Sequence, residues 1–215
     1  MTPLYAYIHG FGSSAQSNKG QELKRRFTAA GKKFDCPELN RPSFSTQTIT
    51  ANLAYLDTFD QQMQQQHGDF RWKLIASSMG GYLAATWASL RPERVESLLL
   101  LCPAFNMHTR WSTALGETAM KRWQDVGHFT FPGPKKTPEP LHWKFMQDMQ
   151  EHPSRPAFSC PAQIIHGIQD TVVPIESSRS YVQEHPHIRL HEVQDEHPLA
   201  LSMTTIWRVC QDFLL

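Results

Sequence analysis

The sequence has almost no net charge. Its 215 residues include 21 Lys and Arg against 20 Asp and Glu, which gives a formal charge of +1 at pH 7. A chain without a surplus of one sign has no overall field to gather it onto nucleic acid or an anionic membrane surface. We therefore expect neither nucleic acid nor a charged membrane surface among its partners.

Long apolar runs are also missing. The longest markedly apolar stretch, Leu98–Phe105, contains a proline and is far shorter than the roughly 20 residues that a membrane-spanning helix needs. The first eight residues lack the basic region and long apolar core of a secretory signal. We expect no membrane span and a cytoplasmic location.

Cysteines are few, and the histidines show no metal-binding spacing. The four cysteines are scattered without a C-x-x-C pair, and the eleven histidines include no H-E-x-x-H motif. A disulfide framework or a zinc site would need such spacings. We expect free thiols and no metal site.

Apolar runs and helical periodicity alternate along most of the chain, which predicts one α/β domain over residues 1–215. Such alternation builds a mostly parallel central sheet with helices on both faces. The predicted strands are Leu4–His9, Lys33–Pro37, Lys73–Ala76, Val95–Leu101, Ala162–His166 and Ile188–Val193. The predicted helices are Gln21–Ala30, Thr46–His67, Met79–Leu90, Ile175–Glu184 and Leu199–Leu214.

The alternation stops in the segment 104–161, which is rich in aromatic residues, methionine and proline. We interpret it as a helical cap insertion above the sheet, because flexible methionines and large rings suit an adaptable apolar surface. Trp111, Trp123 and Trp143 are its candidate substrate-binding residues. A pair of helices packed as ordinary core is an equally good interpretation, and a cap with a small core of its own satisfies both.

Ser78 lies between an apolar strand and a helix, flanked at two residues' distance by Ala76 and Gly80. Small residues at these positions permit the tight strand-to-helix turn that exposes a nucleophilic hydroxyl. An ordinary helix N-cap serine is the structural alternative. The neighbouring Ser77 is a weaker candidate, because its own flanks, Ile75 and Met79, are too large for that turn.

Two backbone N–H groups are candidates for an oxyanion hole. Met79 follows Ser78 at the start of a helix, where the dipole favours negative charge. Phe11 lies in the glycine-rich loop that follows the first predicted strand, and the glycines let this loop approach a substrate. His9, at the start of this loop, is interpreted as a residue that fixes the turn.

Asp170 and His197 each follow a predicted strand and are the candidate partners of Ser78. Ligand sites of doubly wound sheets lie at these strand ends. Asp195 and Glu196 are rival acids, but a residue one or two positions from a histidine usually points away from its ring. The order Ser, Asp, His along the chain matches a hydrolase triad in which His197 is the general base and Asp170 orients it.

These segments, HGFGSS (9–14), SSMGGY (77–82), HGIQD (166–170) and DEHPLAL (195–201), resemble the α/β-hydrolase superfamily and more narrowly its small bacterial YqiA-like esterases. The resemblance covers nearly the whole chain and implies an esterase-like activity without a metal or organic cofactor. Two features depart from the pattern: Ala76 stands where glycine is usual, and the segment 104–161 is longer than a minimal core needs.

The sequence therefore predicts a serine esterase that forms an acyl-enzyme on Ser78. The apolar insertion favours small or medium hydrophobic acyl esters as its small-molecule substrates. A thioesterase or peptidase with the same triad and a noncatalytic binding protein of the same fold are the alternatives. Nothing in the sequence indicates the oligomeric state.

Overall fold

The alternation of strands and helices is confirmed in a computed structural model, which describes residues 2–215. The strands are β1 (Leu4–Ile8), β2 (Phe34–Asp35), β3 (Trp72–Ser77), β4 (Val95–Leu101), β5 (His128–Pro132), β6 (Pro138–His142), β7 (Ala162–Gly167) and β8 (Arg189–Val193). The helices are α1 (Asn18–Ala29), α2 (Ile49–His67), α3 (Met79–Leu90), α4 (Met107–Val126), α5 (Lys144–Met149), α6 (Glu176–Glu184) and α7 (Met203–Phe213).

Six strands form one parallel sheet in the order β2-β1-β3-β4-β7-β8. Ala76 of β3 lies opposite Leu100 of β4, and Leu101 lies opposite Ile165 of β7. The carboxyl ends of the central strands therefore meet at one edge. Loops that follow β1, β3, β7 and β8 are brought together there, as the fold class predicts.

The two faces of the sheet are covered by different helices, because side chains alternate along each strand. Leu4, Ala6 and Ile8 of β1 belong to the larger core cluster, which includes residues of α2 and α3. Tyr5 and Tyr7 point to the opposite face and pack with residues of α1 and α7. Helices thus lie on both faces, as predicted.

Several helices begin elsewhere than the sequence pattern predicted. Helix α2 begins at Ile49, three residues after Thr46, because the Thr48 side chain caps it by accepting a hydrogen bond from the Ala51 N–H. Helix α1 begins at Asn18, three residues before Gln21, because Ser17 is its N-cap and its hydroxyl accepts a hydrogen bond from the Gly20 N–H. Helix α7 begins at Met203, because the loop before it passes through a left-handed residue, Leu199 (φ 50°).

The insertion between β4 and β7 contains an antiparallel hairpin, β5–β6, in addition to helices α4 and α5. The sequence predicted helices alone. Prolines within the hairpin are compatible with strand structure, because both strands of a two-stranded ribbon are edge strands. Helix α4 is itself interrupted at Gly116, which has φ 75° and ψ 163°. None of the helices in residues 2–215 is long and apolar enough to cross a membrane.

Candidate active site

Ser78 occupies the sharp turn between β3 and α3. Its backbone has φ 56° and ψ −122°, a conformation that costs on the order of 1–3 kcal/mol for a residue other than glycine. Hydrogen bonds hold this strained turn: the Ser78 N–H donates to the Leu101 carbonyl at 2.9 Å, and the Ser78 carbonyl accepts from the Ala104 N–H at 3.0 Å. The hydroxyl is therefore presented in a fixed position at the edge of the sheet.

Glycines allow the loop after β1 to lie directly against this turn. A methyl group at Gly80 would overlap the backbone carbonyls of Ile8 and His9. A methyl group at Gly10 would come within 3.1 Å of the Ser78 Cβ. The small residue two positions after Ser78 is thus required by a close backbone approach, which is the reason the sequence pattern suggested.

Ser78, His197 and Asp170 form a continuous chain of hydrogen bonds. The Ser78 Oγ lies 3.0 Å from Nε2 of His197, and Nδ1 of His197 lies 2.6 Å from Oδ2 of Asp170. An ionised carboxylate only accepts, so Nδ1 carries the proton and neutral His197 presents the Nε2 lone pair to the serine hydroxyl. The structure brings together the three residues that the sequence singled out.

The Asp170 side chain is fully buried and surrounded by donors. Its Oδ1 accepts hydrogen bonds from the N–H groups of Val172 (2.9 Å) and Val173 (2.7 Å). Burial raises the pKa of Asp170, but the hydrogen bonds from His166, His197 and Val173 outweigh it, so that the net pKa lies well below that of an ordinary aspartate. Asp170 is therefore held as a carboxylate.

His166 is a second histidine in contact with Asp170, and the sequence pattern alone indicates no role for it. Its Nε2 lies 2.8 Å from the Val173 carbonyl and 3.3 Å from Oδ2 of Asp170. Because a carbonyl only accepts, Nε2 carries a proton that both oxygens share, and Nδ1 accepts from the Ser178 hydroxyl at 2.7 Å. The four-residue spacing to Asp170 was the available signal.

Cys102, His166 and Asp170 bring a sulfur, a ring nitrogen and a carboxylate oxygen within 4.8 Å of one another, which is close enough for a metal ion. A cysteine binds metal as a thiolate. Burial raises the pKa of the Cys102 thiol to about 12, and both His166 nitrogens already have partners. The cluster therefore fits a hydrogen-bonded support for Asp170 better than a set of metal ligands.

Asp195, a rival acid in the sequence, has a different environment. It is buried, and its Oδ1 accepts from the Glu196 N–H at 2.8 Å. Its Oδ2 accepts from the Leu201 N–H (2.9 Å) and the Ser202 hydroxyl (2.7 Å). The carboxylate thus braces the loop that carries His197 and has no hydrogen bond to that ring among residues 2–215.

The predicted oxyanion donors lie on two adjoining segments. Met79 is the first residue of α3, where backbone N–H groups lack an acceptor within the helix. The Phe11 N–H belongs to the loop next to Ser78 and donates no hydrogen bond within residues 2–215. Both N–H groups are available to a substrate oxygen, and their role as an oxyanion hole stays a prediction.

A cavity of about 580 Å³ opens beside the reactive groups, with Ser78 and His197 in its wall. Phe11, Leu199 and Met203 give part of the wall an apolar surface. Ser77 also borders the cavity, but among residues 2–215 it has no hydrogen bond to His197. Of the two adjacent serines, Ser78 alone is therefore hydrogen-bonded to His197 within residues 2–215.

The three tryptophans predicted to bind substrate lie in an aromatic cluster of the insertion. Trp123 is fully buried, packs against Trp111 and Trp143 and donates its indole N–H to the Leu141 carbonyl at 2.9 Å. Trp111 also packs against Phe11, with ring centroids 4.9 Å apart. The tryptophans are not among the residues that line the cavity beside Ser78, and substrate contact by them stays a prediction.

Sequence comparison places the chain in a family. Residues 4–211 match the model of the family described as "Uncharacterised protein family (UPF0227)". A 101-residue stretch is 35% identical to abhydrolase domain-containing protein abhd-5.2 of Caenorhabditis elegans and covers 45% of this chain and 22% of that protein. A 110-residue stretch is 28% identical to mouse palmitoyl-protein thioesterase ABHD10, mitochondrial, covering 49% and 37% respectively. The matches thus span well under two thirds of these relatives.

Solved structures of low sequence identity share the fold. Est1E from Butyrivibrio proteoclasticus, in a structure with bound ferulic acid, superposes with a TM-score of 0.85 at 16% identity, over 99% of this chain and 88% of that one. Mouse alpha/beta hydrolase domain-containing protein 10 superposes with a TM-score of 0.78 at 19% identity, over 100% and 90%. At these identities the likeness concerns the fold alone.

Proposed function

Because the chain belongs to the α/β-hydrolase family described as UPF0227, we propose that it is a serine hydrolase of carboxylic esters that acts through an acyl-enzyme on Ser78. One observation carries the proposal. The strained Ser78 lies 3.0 Å from Nε2 of His197, whose other nitrogen is held by the buried Asp170. A helix-capping serine would need neither partner.

The proposed reaction follows from where the protons lie. His197 Nε2 removes the Ser78 proton as Oγ forms a bond to the ester carbonyl carbon, and the carbonyl oxygen becomes an oxyanion facing the Phe11 and Met79 N–H groups. The intermediate collapses, the bond to the alcohol oxygen breaks, and protonated His197 gives that oxygen its proton. A water molecule, deprotonated by the same ring, then attacks the acyl carbon. The bond to Ser78 Oγ breaks, His197 returns the proton to that oxygen, and the acid is released.

Asp170 has a supporting role in this cycle. As a carboxylate whose pKa is held low, it keeps the Nδ1 proton in place and stabilises the positive charge that forms on His197. Nothing in the cycle requires the Asp170 carboxylate to take up the proton. The hydrogen bonds from His166 and Val173 support this role, because they favour the ionised form.

The apolar wall beside Ser78 supports an ester with a small or medium hydrophobic part near the scissile bond. Phe11, Leu199 and Met203 line this part of the cavity. A cavity of about 580 Å³ is within the ordinary range for small-molecule sites. We therefore expect short acyl chains to be accepted.

Thioester hydrolysis is the second candidate, and it uses the same residues. It is favoured by the likeness to mouse ABHD10, a protein named a palmitoyl-protein thioesterase. A matched pair of butanoyl esters, one of an alcohol and one of the corresponding thiol, distinguishes the two reactions. An ester hydrolase is expected to cleave both members, whereas a dedicated thioesterase cleaves only the thiol ester.

A fluorophosphonate probe tests the proposal directly. Such a probe reacts with an activated serine, so we expect one adduct per chain, assigned to the peptide that contains Ser78 by mass spectrometry. Protein unfolded in urea serves as the control, because loss of the fold removes the activation. An unlabelled folded protein, or an adduct on Ser77, would contradict the proposed function.

A further inference from the structure

The wall of the cavity beside Ser78 carries a positive charge that the proposed reaction does not use. Lys19, in the first turn of α1, lines this cavity together with Ser78 and His197. Its side chain is partly buried, and no Asp or Glu oxygen of residues 2–215 lies within 4.0 Å of its Nζ. It is thus an unpaired cation beside the reactive serine.

A positive charge at the position of Lys19 is destabilised by its surroundings. The N-terminal end of a helix carries partial positive charge, so a lysine in the first turn is destabilising there. Burial adds to the cost, since it lowers the pKa of the Lys19 ammonium to about 8. At neutral pH the group is still mostly protonated. A ligand that supplies a negative charge would relieve both costs.

The carboxylates near Lys19 already have other partners. Glu22 is the one carboxylate among the residues that line the cavity, and it is held by Arg25 at 2.8 Å and Arg26 at 2.6 Å. Asp195 attracts Lys19 at longer range, but its oxygens accept hydrogen bonds within its own loop. Neither carboxylate forms an ion pair with the Lys19 ammonium.

A second lysine increases the positive charge of the wall. Lys136, in the turn between β5 and β6, is exposed and lines the same cavity. Among the residues that line the cavity, the two lysines outnumber the one carboxylate, Glu22, which two arginines already hold, so the lining charges give the wall a positive field. Low-dielectric walls focus such a field on the substrate.

We propose that Lys19 binds an anionic group of the ester substrate, so that the preferred substrates of this site are esters that carry a carboxylate or similar anion some bonds away from the scissile carbonyl. This inference rests on the proposed function. In this arrangement, the apolar wall contacts the part of the substrate next to the ester group. Lys19 contacts the charged end of the substrate. The anion can belong to the acyl or to the alcohol part, and the test separates these two sources.

Two matched pairs of substrates provide the test. For the acyl part, p-nitrophenyl hydrogen glutarate is compared with p-nitrophenyl pentanoate, which has the same chain length without the charge. For the alcohol part, 4-acetoxybenzoate is compared with 4-acetoxybenzamide. The quantity measured is the ratio of kcat/KM for the anionic ester to that for the neutral ester.

We expect wild-type protein to favour the anionic member of at least one pair. Lys19→Met should raise KM for that ester and lower the ratio about tenfold, as expected for a lost charged hydrogen bond. Lys19→Arg should keep most of the preference. Lys24→Met is the matched control, because Lys24 is an exposed lysine of the same helix that does not line the cavity, and it should leave the ratio unchanged.

A binding measurement separates failure of this inference from failure of the proposed function. Glutarate should slow fluorophosphonate labelling of wild-type protein, and this protection should be lost in Lys19→Met or, if that variant does not fold, in Lys19→Gln. Normal labelling without protection, together with ratios that Lys19→Met leaves within about twofold of wild type, overturns the role of Lys19 alone. Absence of both labelling and hydrolysis overturns both proposals.

Discussion

Oδ2 of Asp195 accepts a hydrogen bond of 2.7 Å from the hydroxyl of Ser202. The same carboxylate accepts from the N–H groups of Glu196 and Leu201, so it is attached to both ends of the loop between them. His197 lies in this loop. Asp195 therefore holds the ring in position without touching it, which makes it a positioning residue in the proposed site.

Asp195→Asn should lower activity by misplacing the histidine. Asparagine keeps one oxygen acceptor but loses the charge and the second acceptor, so we expect kcat to fall about tenfold to a hundredfold with little change in KM, and the melting temperature to fall as well. Steady-state kinetics and thermal unfolding measure these effects. Glu196→Gln is the control, because Glu196 is exposed. Equal kcat values in the two variants would exclude the positioning role.

Ser78→Ala and His197→Ala should each lower hydrolysis of p-nitrophenyl butanoate by about a thousandfold or more, because the residues of a triad act as a unit. Ser77→Ala should retain much of the activity, since the Ser77 hydroxyl is not hydrogen-bonded to His197. Circular dichroism checks that all three variants fold. Retained activity in Ser78→Ala would refute the assignment of the nucleophile.

His166→Leu should move the acidic limb of the kcat/KM profile to higher pH. The hydrogen bond from His166 lowers the pKa of Asp170, so its removal makes that carboxylate more basic. A more basic Asp170 favours the protonated form of the hydrogen-bonded His197–Asp170 pair, which cannot remove the Ser78 proton, and this form then persists to a higher pH. The variant should also lose on the order of 1–3 kcal/mol of stability through unpaired partners. Ser178→Ala keeps the Nε2 hydrogen bond and should leave the limb nearly in place. Coincident profiles of wild type and His166→Leu would contradict this.

Gly80→Ala should destabilise the protein and abolish activity, because the added methyl group would overlap the carbonyls of Ile8 and His9. Ala76→Gly provides the contrast. It restores the glycine usual two residues before the nucleophile and should keep activity while costing roughly 0.5–1 kcal/mol of stability through backbone entropy. Urea unfolding and ester hydrolysis measure both variants. A fully active, stable Gly80→Ala protein would disprove the close packing.

The preference for anionic esters should disappear as the pH rises through about 8. Burial lowers the pKa of Lys19 from 10.5 to about 8, so the ammonium is charged below that pH and neutral above it. The facing groups do not produce this change. Burial raises the pKa values of Cys102 and Tyr7 to about 12, and Glu22, with its pKa lowered to about 2 by Arg25 and Arg26, stays ionised. The Asp195 carboxylate, which attracts Lys19, accepts three hydrogen bonds within its own loop. His197 also lines the cavity, but it acts on both members of a matched pair and cancels in the ratio.

Lys19→Arg is the control for this pH dependence. An arginine stays charged throughout the accessible range, so its ratio of anionic to neutral ester hydrolysis should be flat from pH 7 to about pH 9. The measurement is the same ratio of kcat/KM, taken at each pH on one matched pair. A wild-type ratio that is equally flat would show that Lys19 does not set the preference.

The positions of Ser78, Asp170 and His197 could be predicted from sequence because each depends on a local signal that parallel strands then align. Small residues mark the turn at Ser78, and Asp170 and His197 each follow an apolar strand. A parallel sheet places all these strand ends at one edge. Local pattern and global topology therefore point to the same site.

Other features depend on contacts that no local pattern carries. The packing of Trp123 inside the insertion is decided by distant aromatic partners, and the hairpin β5–β6 by pairing between its two strands. The sequence pattern does not indicate a role for Lys19, because it predicts a helix that begins at Gln21 and so places Lys19 in a polar loop. Ser17 as an N-cap was the signal that could have placed it in the first turn of α1.

The hydrogen bond between Ser78 and His197 joins residues 119 positions apart in the chain. Such a contact cannot form until β3, β7 and β8 have all assembled, and pairings of long sequence separation are slow to form because chain entropy is lost first. Recovery of probe reactivity during refolding should therefore lag behind the return of helical circular dichroism. The reactivity of Ser78 toward the probe therefore reports when the last stage of folding is complete.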